Sequence, residues 1–232
     1  MEELDIFIKG EIIDLKIPTR EFAKNSLWYS LFNSKHIIRF LEHGVFPNTK
    51  EQQEKFFSEQ SQKRLLLIIT NKENIFKGVI SLSSFDFFKR HCTVEIVADP
   101  NIDKRISPYQ NLEAISLITE YGFKTLGMHR IEAGQHEDLN GWQQRMELIG
   151  YKLEGIHTNK FCKGDQVANT VTISCIRKHF EYIYSLRNNK LWDSLENMKK
   201  RIKALPKESF AELLRKFFNN KGEDYYNKIY KL

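Results

Sequence analysis

Few side chains in this sequence combine a reactive chemical type with an informative position. Glu95 lies inside the apolar, strand-like run 92–98, and His43 lies in a predicted loop between two helices. His136 and Glu137 directly follow another strand-like segment. A carboxylate or an imidazole in such a place can take a proton or hold a polar ligand. The alternative is structural: an ion pair for Glu95, and ordinary exposed loop residues for His136 and Glu137.

Other kinds of chemistry are disfavoured by what the sequence lacks. Cys92, Cys162 and Cys175 are an odd number with no short paired spacing, so neither a disulfide framework nor a zinc site is indicated. No motif for a metal, a nucleoside triphosphate or a nucleophilic triad is present. The longest strongly apolar run, residues 65–69, is far too short to span a bilayer. We therefore expect a cytoplasmic protein without a metal site or membrane contact.

The elements that must position these residues follow one another in the middle of the chain. Two strands, a helix, a strand and a second helix are predicted, over residues 75–84, 92–98, 111–126, 130–135 and 140–149. Gly150 provides the stop after the second helix. A strand, helix, strand order of this kind builds a right-handed crossover, and ligands bind where the neighbouring strands part.

The chain after residue 178 has a different character. Residues 181–232 hold 12 Lys and Arg against 7 Asp and Glu, so they carry +5 of the total charge of +6. Helical spacing replaces strand alternation there, in two apolar sets on either side of Pro206. The sets are Leu191, Leu195, Met198 and Ile202, then Phe210, Leu213, Leu214 and Phe217. We place a boundary near Lys178, with one domain over residues 1–178 and a basic helical extension over 179–232.

The basic charge of the extension admits two interpretations. Acidic residues interrupt the Lys and Arg throughout, and no helix-turn-helix or RNA-binding signature is present, so nucleic acid is not the expected partner. The apolar sets need a covering surface, which is either the first domain or a second subunit, as in a homodimer through these helices. Contact between a basic patch and an anionic partner is the alternative.

Several short segments keep a characteristic order along residues 8–178. They are 10–15 as an opening strand, Trp28-Tyr29-x-x-Phe32-Asn33 on a first helix, Phe46-Pro47-Asn48-Thr49, Lys77-Gly78-Val79-Ile80, Val94-Glu95-Ile96-Val97, Glu113-Ala114, 126–131 and Gly150-Tyr151. This order resembles the GNAT (GCN5-related) N-acetyltransferase superfamily, and within it the ribosomal-protein alanine and amino-sugar acetyltransferases. The resemblance implies a mixed α/β fold: a central, mostly antiparallel twisted sheet flanked by helices, here with a C-terminal helical extension.

The resemblance also implies an acyl-transfer site that uses acetyl-CoA as the acyl donor. In the family, a backbone N–H of the strand that splits from its neighbour binds the thioester carbonyl, which implies Val97 here, with Ala98 beside it. Glu95 lies two residues before Val97 on the same face of the strand, so it is the predicted general base. Asn140 is the predicted coenzyme contact of the last helix, and Met146 occupies the place of a tyrosine acid found in some members.

The predicted pyrophosphate loop departs from the family pattern. Members usually carry Arg/Gln-x-x-Gly-x-Gly/Ala before the long helix, whereas residues 104–111 contain no glycine. The predicted coenzyme contacts in this stretch are Lys104, Arg105, Ile106, Ser107, Tyr109, Gln110 and Asn111. Either the backbone still binds the phosphates with Lys104 and Arg105 as partners, or coenzyme binding has been lost.

The N-terminal part is predicted to supply the acceptor site. Thr49 and Gln52 have the spacing of a capping box, so a helix starts there, and in the family the preceding loop borders the acceptor pocket. The predicted substrate-binding residues are Trp28, Tyr29, His43 and Phe46, with core packing as the alternative for the aromatic ones. The implied function is an N-acetyltransferase that moves an acetyl group from acetyl-CoA to a primary amine, such as that of a nucleotide-linked amino sugar.

Three alternatives to this function stay open. A non-catalytic GNAT-like binding or assembly module would explain the glycine-free loop, with the extension holding a partner. A protein N-terminus is the next candidate for the acceptor. A different acyl-CoA is the next candidate for the donor.

Overall fold

The computed structural model describes residues 3–42, 44–98 and 105–232, which form one twisted sheet covered by helices. The sheet has eight strands in these ranges, in the order β1-β2-β3-β4-β5-β6-β8-β7, and only β5 and β6 are parallel neighbours. The strands are β1 (Ile6–Lys9), β2 (Ile13–Lys16), β3 (Leu65–Asn71), β4 (Phe76–Asp86), β5 (His91–Ala98), β6 (Arg130–His136), β7 (Lys152–Lys163) and β8 (Gln166–Ile176). This confirms the predicted mixed α/β class.

Helices cover the sheet in three groups along the chain. The first group is α1 (Arg20–Asn25), α2 (Trp28–Leu31), α3 (Lys35–Ile38) and α4 (Lys50–Gln60), and the middle group is α5 (Ser107–Lys124) and α6 (Asn140–Leu148). The last group is α7 (Arg177–Leu186), α8 (Leu195–Lys203), α9 (Phe210–Phe217) and α10 (Glu223–Ile229). A π-helical turn, Phe218–Gly222, joins α9 to α10. Among the described residues, no helix has the length and apolar character needed to cross a membrane.

Strand alternation divides the core into two layers. Along β5, Cys92 and Val94 belong to the cluster that contains α5, whereas Val97 packs against the cluster of α1 and α2. Successive side chains of a strand point to opposite faces, so one strand serves both layers. Glu95, two residues from Val97, therefore faces the layer of α1–α4.

Local signals account for the ends of several elements. Thr49 and Gln52 form the predicted capping box at the start of α4, with reciprocal side-chain and backbone hydrogen bonds. Gly150 follows α6 with a φ of +99°, a left-handed conformation that favours glycine. At the start of the chain, residues 10–15 form a turn and β2 of a hairpin rather than one opening strand. The segment from Trp28 that is predicted as a first helix is the short second helix α2, and Ser26, which has an extended backbone, separates it from α1.

A buried carboxylate on α5 holds the first hairpin. Glu113 is fully buried and accepts the backbone N–H groups of Ile12 and Ile13 at 3.0 and 3.1 Å, together with that of Glu11. Burial raises the pKa of Glu113, and the three N–H donors oppose that rise. The long helix α5 is thereby fixed to the β1–β2 hairpin at one edge of the sheet.

The extension docks on the same face of the sheet as α5 and α6. Leu191 and Met198 are completely buried in the main apolar cluster, and the Trp192 indole donates to Glu11 Oε2 at 2.7 Å. The cover is incomplete further on, because Phe210, Leu213 and Phe217 are 55%, 48% and 58% exposed. The first domain therefore does not cover these residues of the second set, and their cover by a second subunit stays a prediction.

Candidate functional site

The parallel strands β5 and β6 separate after a short contact. They pair only over residues 91–93 and 130–132, and beyond Thr93 and Glu132 no further pairing joins them. The crossover helix α5 connects these two strands, so its first turn lies at the end where they part. The parting leaves a slot, the kind of place where ligands bind in crossover folds.

The register identifies which backbone groups face this slot. The carbonyl of Arg90 accepts the N–H of Arg130 at 3.3 Å, so this carbonyl points towards β6. The N–H of His91, in the same peptide unit, points the opposite way, towards β4. Because directions alternate along a strand, the N–H of Val97 also points towards β4, where Val97 pairs with Val79. The N–H groups of Ile96 and Ala98 face the slot instead. The structure therefore corrects the predicted carbonyl donor by one residue.

Glu95 makes the contacts of an oriented ion pair. Arg64 Nη1 donates to Glu95 Oε2 at 2.9 Å, and the Ser83 hydroxyl donates to Oε1 at 3.0 Å. Half of the Glu95 side chain, 49%, is still exposed. The ion pair that the sequence analysis gave as the alternative for Glu95 is thus present. The role of Glu95 as general base stays a prediction that these contacts allow. Its carboxylate is held in place and open to solvent on one side.

Two residues of β6 complete the open face of the slot: Gly134, which the sequence did not single out, and His136, which it offered as a candidate for proton transfer or ligand binding. Gly134 lies two residues beyond the last β5–β6 pair, and a Cβ added there would meet no atom within 4 Å, so the space above it is empty. His136 is buried between the rings of Phe40 and Phe161, at centroid distances of 5.3 and 4.8 Å. Alternation places Gly134 and His136 on the face of Glu95.

The first turn of α5 offers few free backbone donors to an anion. Ile106 is its N-cap residue without a side-chain cap, and Pro108 has no N–H. The N–H groups of Tyr109 and Gln110 both bond the carbonyl of Ile106, at 3.0 and 3.1 Å. In this first turn, the N–H of Ser107 is left for a phosphate. Lys104, a predicted phosphate contact, lies outside the described residues.

Four buried polar atoms that lack a partner among the described residues lie on α5 and α6. Gln110 Oε1, Asn111 Oδ1, Gln143 Oε1 and Arg145 Nε are buried and have no hydrogen-bond partner within the described chain. Buried polar atoms are nearly always hydrogen-bonded in folded proteins, so this group leaves places for a polar ligand or water. A coenzyme A molecule carries amides and phosphates. The side-chain oxygens of Gln110, Asn111 and Gln143 can accept amide N–H groups, and the guanidinium of Arg145 can donate to a phosphate. The residues on this side therefore fit that class of ligand.

Helix α5, which carries Tyr109, contacts both α6 and α8. The ammonium of Lys199, on α8 of the extension, lies 5.8 Å from the centroid of the Tyr109 ring. Arg145, on α6, which packs against α5, is half-buried, and burial lowers the pKa of its guanidinium. The extension also reaches Asn140, whose Oδ1 accepts from Arg215 Nη2 at 3.2 Å. The predicted coenzyme contact Asn140 is thus held by the extension.

The predicted acceptor residues differ widely in position. Trp28 is 1% exposed and packs edge-on against Phe56 and Phe57, so it is a core residue and the substrate-contact prediction for it is wrong. Tyr29 is half-buried, whereas Phe46 is 82% exposed on its loop. His43 lies outside the described residues.

The loop that carries Phe46 is fixed by amide side chains. Asn33 and Asn48 exchange two hydrogen bonds of 2.7 Å, from the Asn33 amide to the Asn48 carbonyl and from the Asn48 N–H to Asn33 Oδ1. The Asn48 side chain also donates to Gln53 at 2.9 Å. These segments were singled out by their order in the sequence, and their polar residues have a structural role.

Comparisons with known proteins agree with this architecture. No family model matches the chain. One relative is the uncharacterized N-acetyltransferase YnaD of Bacillus subtilis (strain 168), which is 27% identical over 162 residues, covering 66% of this chain and 87% of the relative.

Two solved structures have the same fold. The GNAT-family acetyltransferase from Bacillus anthracis has a TM-score of 0.62 at 20% identity and covers 75% of this chain and 99% of its own. The spermidine N-acetyltransferase from Vibrio cholerae, in complex with CoA and spermine, has a TM-score of 0.63 at 13% identity, over 73% and 98% of the two chains. This chain has the GNAT acetyltransferase fold, as the sequence resemblance predicted.

Proposed function

We propose that this protein is an acetyl-CoA-dependent N-acetyltransferase whose acceptor is a primary amine of a small molecule. The slot between β5 and β6 carries the proposal, because its two sides differ as acyl transfer requires. One side has unpartnered buried polar atoms on α5 and α6, and the open face has an oriented carboxylate above an empty space. Bound acetyl-CoA would supply the acetyl group to be transferred, which it carries as a thioester.

The backbone of β5 provides the donor for the carbonyl oxygen. The N–H groups of Ile96 and Ala98 face the slot, where either can donate to an oxygen that gains negative charge during attack. Such a donor is fixed by the sheet before the reaction, so no reorganisation is needed. The side chain of Val97 packs in the α1–α4 layer and helps to hold this strand.

Glu95 takes the proton of the attacking amine. The amine must lose a proton to form an amide, as the C–S bond of the thioester breaks and coenzyme A leaves as a thiolate. A carboxylate can accept this proton directly or through one water, and the proton would pass through solvent to the leaving thiolate. Arg64 and Ser83 fix the orientation of this carboxylate while about half of the side chain stays exposed. The open space above Gly134, on the neighbouring strand, leaves room for the acceptor beside Glu95.

The charge of the open face suits a cationic acceptor. Glu95, Glu132 and Glu154 lie on strands β5 to β7, and their counter-charges come from Arg64 and Arg130. A partly exposed acidic surface raises the local concentration of amines, which arrive as ammonium ions. A nucleotide-linked amino sugar is the first acceptor class to test, and the exposed ring of Phe46 is available to stack on a base. A protein N-terminus is the second.

The decisive experiment measures donor and acceptor separately. Calorimetry and thermal shift with acetyl-CoA test the donor, since a ligand that binds only the folded protein raises its melting temperature. Release of free thiol then tests a panel of nucleotide-linked amino sugars, polyamines and peptides with free N-termini. We expect micromolar binding of acetyl-CoA and thiol release with one acceptor class. No heat and no thermal shift at millimolar acetyl-CoA would reject the enzyme and favour the binding-module alternative.

A further inference from the structure

We propose that the C-terminal extension completes the coenzyme site, with Lys199 of α8, beside Tyr109, and Arg145 of α6 binding phosphate groups of acetyl-CoA. This inference rests on the proposed function, because the ligand is the same acyl donor. It assigns a ligand contact to a part of the chain beyond the predicted domain boundary.

The backbone at the start of α5 is a poor phosphate site by itself. The loop before it has no glycine, Pro108 has no N–H, and the Tyr109 and Gln110 N–H groups are both bonded to the Ile106 carbonyl. An anion at this helix start would have few backbone donors compared with a glycine-rich nest. Side-chain cations are needed to replace the missing donors.

Arg145 is a half-buried cation, and one of its N–H donors has no hydrogen-bond partner in the described chain. Its Nη1 donates to the Gly141 carbonyl at 2.6 Å, and its Nε is buried without a partner. No carboxylate pairs with it among the residues that the structure describes. Removing a guanidinium from water costs free energy unless an anion or acceptors replace the water, and burial lowers its pKa accordingly. An anionic ligand beside Arg145 would satisfy that group.

Lys199 is held beside Tyr109 by the packing of the extension. Met198, its neighbour, is completely buried in the main cluster, so the start of α8 is fixed against the domain. The Lys199 ammonium lies 5.8 Å from the centre of the Tyr109 ring and forms no ion pair in the described part of the chain. Lys200, next to it, is instead paired with Glu196 at 2.7 Å. Only one of these adjacent lysines is therefore both close to Tyr109 and uncommitted.

The test uses calorimetry on the full chain with three ligands: acetyl-CoA, 3′-dephospho-acetyl-CoA and acetyl-pantetheine. We expect Lys199→Ala to weaken acetyl-CoA about fivefold and Lys199→Glu about 20-fold, as for a partly screened phosphate contact. Arg145→Gln should weaken the same ligand by about tenfold or more. All three variants should bind acetyl-pantetheine like the wild type, and Lys200→Ala is the matched control that should leave every affinity unchanged.

The ligands also locate the phosphate. If Lys199 contacts the 3′-phosphate, its variants lose their effect with the dephospho ligand; if it contacts the pyrophosphate, the effect remains. Unchanged acetyl-CoA affinity in both Lys199 variants, with wild-type binding intact, would overturn this inference alone. A wild type that binds none of the three ligands would overturn the proposed function as well. Melting temperatures without ligand identify any variant that has lost its fold, and Lys199 is exposed, so its variants should fold normally.

Discussion

The two sides of the slot differ in how far their charged side chains are already paired. On the side of α5 and α6, the buried Nε of Arg145 has no partner within the described residues. On the open face, Glu95 is bonded to Arg64 and Ser83, and Glu154 is bonded to Arg130. A site that binds a large polar ligand needs donors and acceptors that are not already bonded within the protein. A site that moves a proton needs a carboxylate in one fixed orientation.

The difference also has a physical consequence for substitutions. A variant on the α5 side should change coenzyme affinity, because it removes a ligand contact. A variant on the open face should change turnover or acceptor use and leave coenzyme affinity alone. The predictions below test this separation.

The largest effect is expected from Glu95→Gln. The amide keeps the shape and can still bond Ser83, but it cannot take the proton of the amine, so turnover should fall by about 100-fold or more. Acetyl-CoA affinity, measured by calorimetry, should stay near that of the wild type. Ser83→Ala is the control that removes one orienting bond while keeping the base. Near-normal turnover of Glu95→Gln across pH would reduce Glu95 to its ion pair with Arg64.

A smaller effect is expected from filling the space above Gly134. Gly134→Leu puts a side chain where no atom lies within 4 Å of an added Cβ, so kcat/KM for the acceptor should fall by roughly 30-fold through lost room for the substrate. Gly155→Leu is the matched control, because Gly155 on β7 also has open space around an added Cβ. Equal losses in both variants would show that the effect is not specific to the slot.

The sequence predicted the elements around the slot because their signals are short-range. The capping box of Thr49 and Gln52 and the stop at Gly150 each depend on a few neighbouring residues, and all are present in the structure. The order of strands and helices over residues 75–149 is confirmed for the same reason. The superfamily resemblance then supplied the chemistry of the site as an expectation.

The remaining features depend on contacts between distant parts of the chain. Trp28 faces the core, because the side of α2 that is covered is decided by α4 and not by spacing along α2. The slot-facing N–H could not be assigned to Ile96 or Ala98 without the hydrogen-bond register between β5 and β6. Likewise, Lys199 meets Tyr109 across 90 residues, which no local pattern encodes.

A moderate effect on the coenzyme side is expected from Arg105→Ala. Arg105 is exposed just before α5, so its loss should weaken acetyl-CoA about fivefold through the phosphates, the contribution of a screened charge-assisted contact. Acetyl-pantetheine, which lacks the pyrophosphate, should bind with nearly unchanged affinity. Lys63→Ala, an exposed cation after α4, is the control for general charge effects. The separation of the two sides fails if Arg105→Ala lowers turnover without weakening the coenzyme.

The smallest effect is expected from the ion pair on the open face. The hydrogen bond from Arg130 holds the pKa of Glu154 below its ordinary value of 4.5, so the pair contributes stability above pH 4.5 that is lost as the pH falls through the lower, folded-state pKa. Glu154→Gln should therefore lower the unfolding free energy at pH 7 by less than about 1 kcal/mol, because the pair is largely exposed and screened. Urea unfolding should show this difference shrinking as the pH is lowered below 4.5. Glu59→Gln, whose nearest cation is 3.9 Å away, is the control, and it should show no such convergence. A Glu154→Gln variant with the same deficit at low pH as at pH 7 would mean that Glu154 stabilises the strand by packing rather than by its charge.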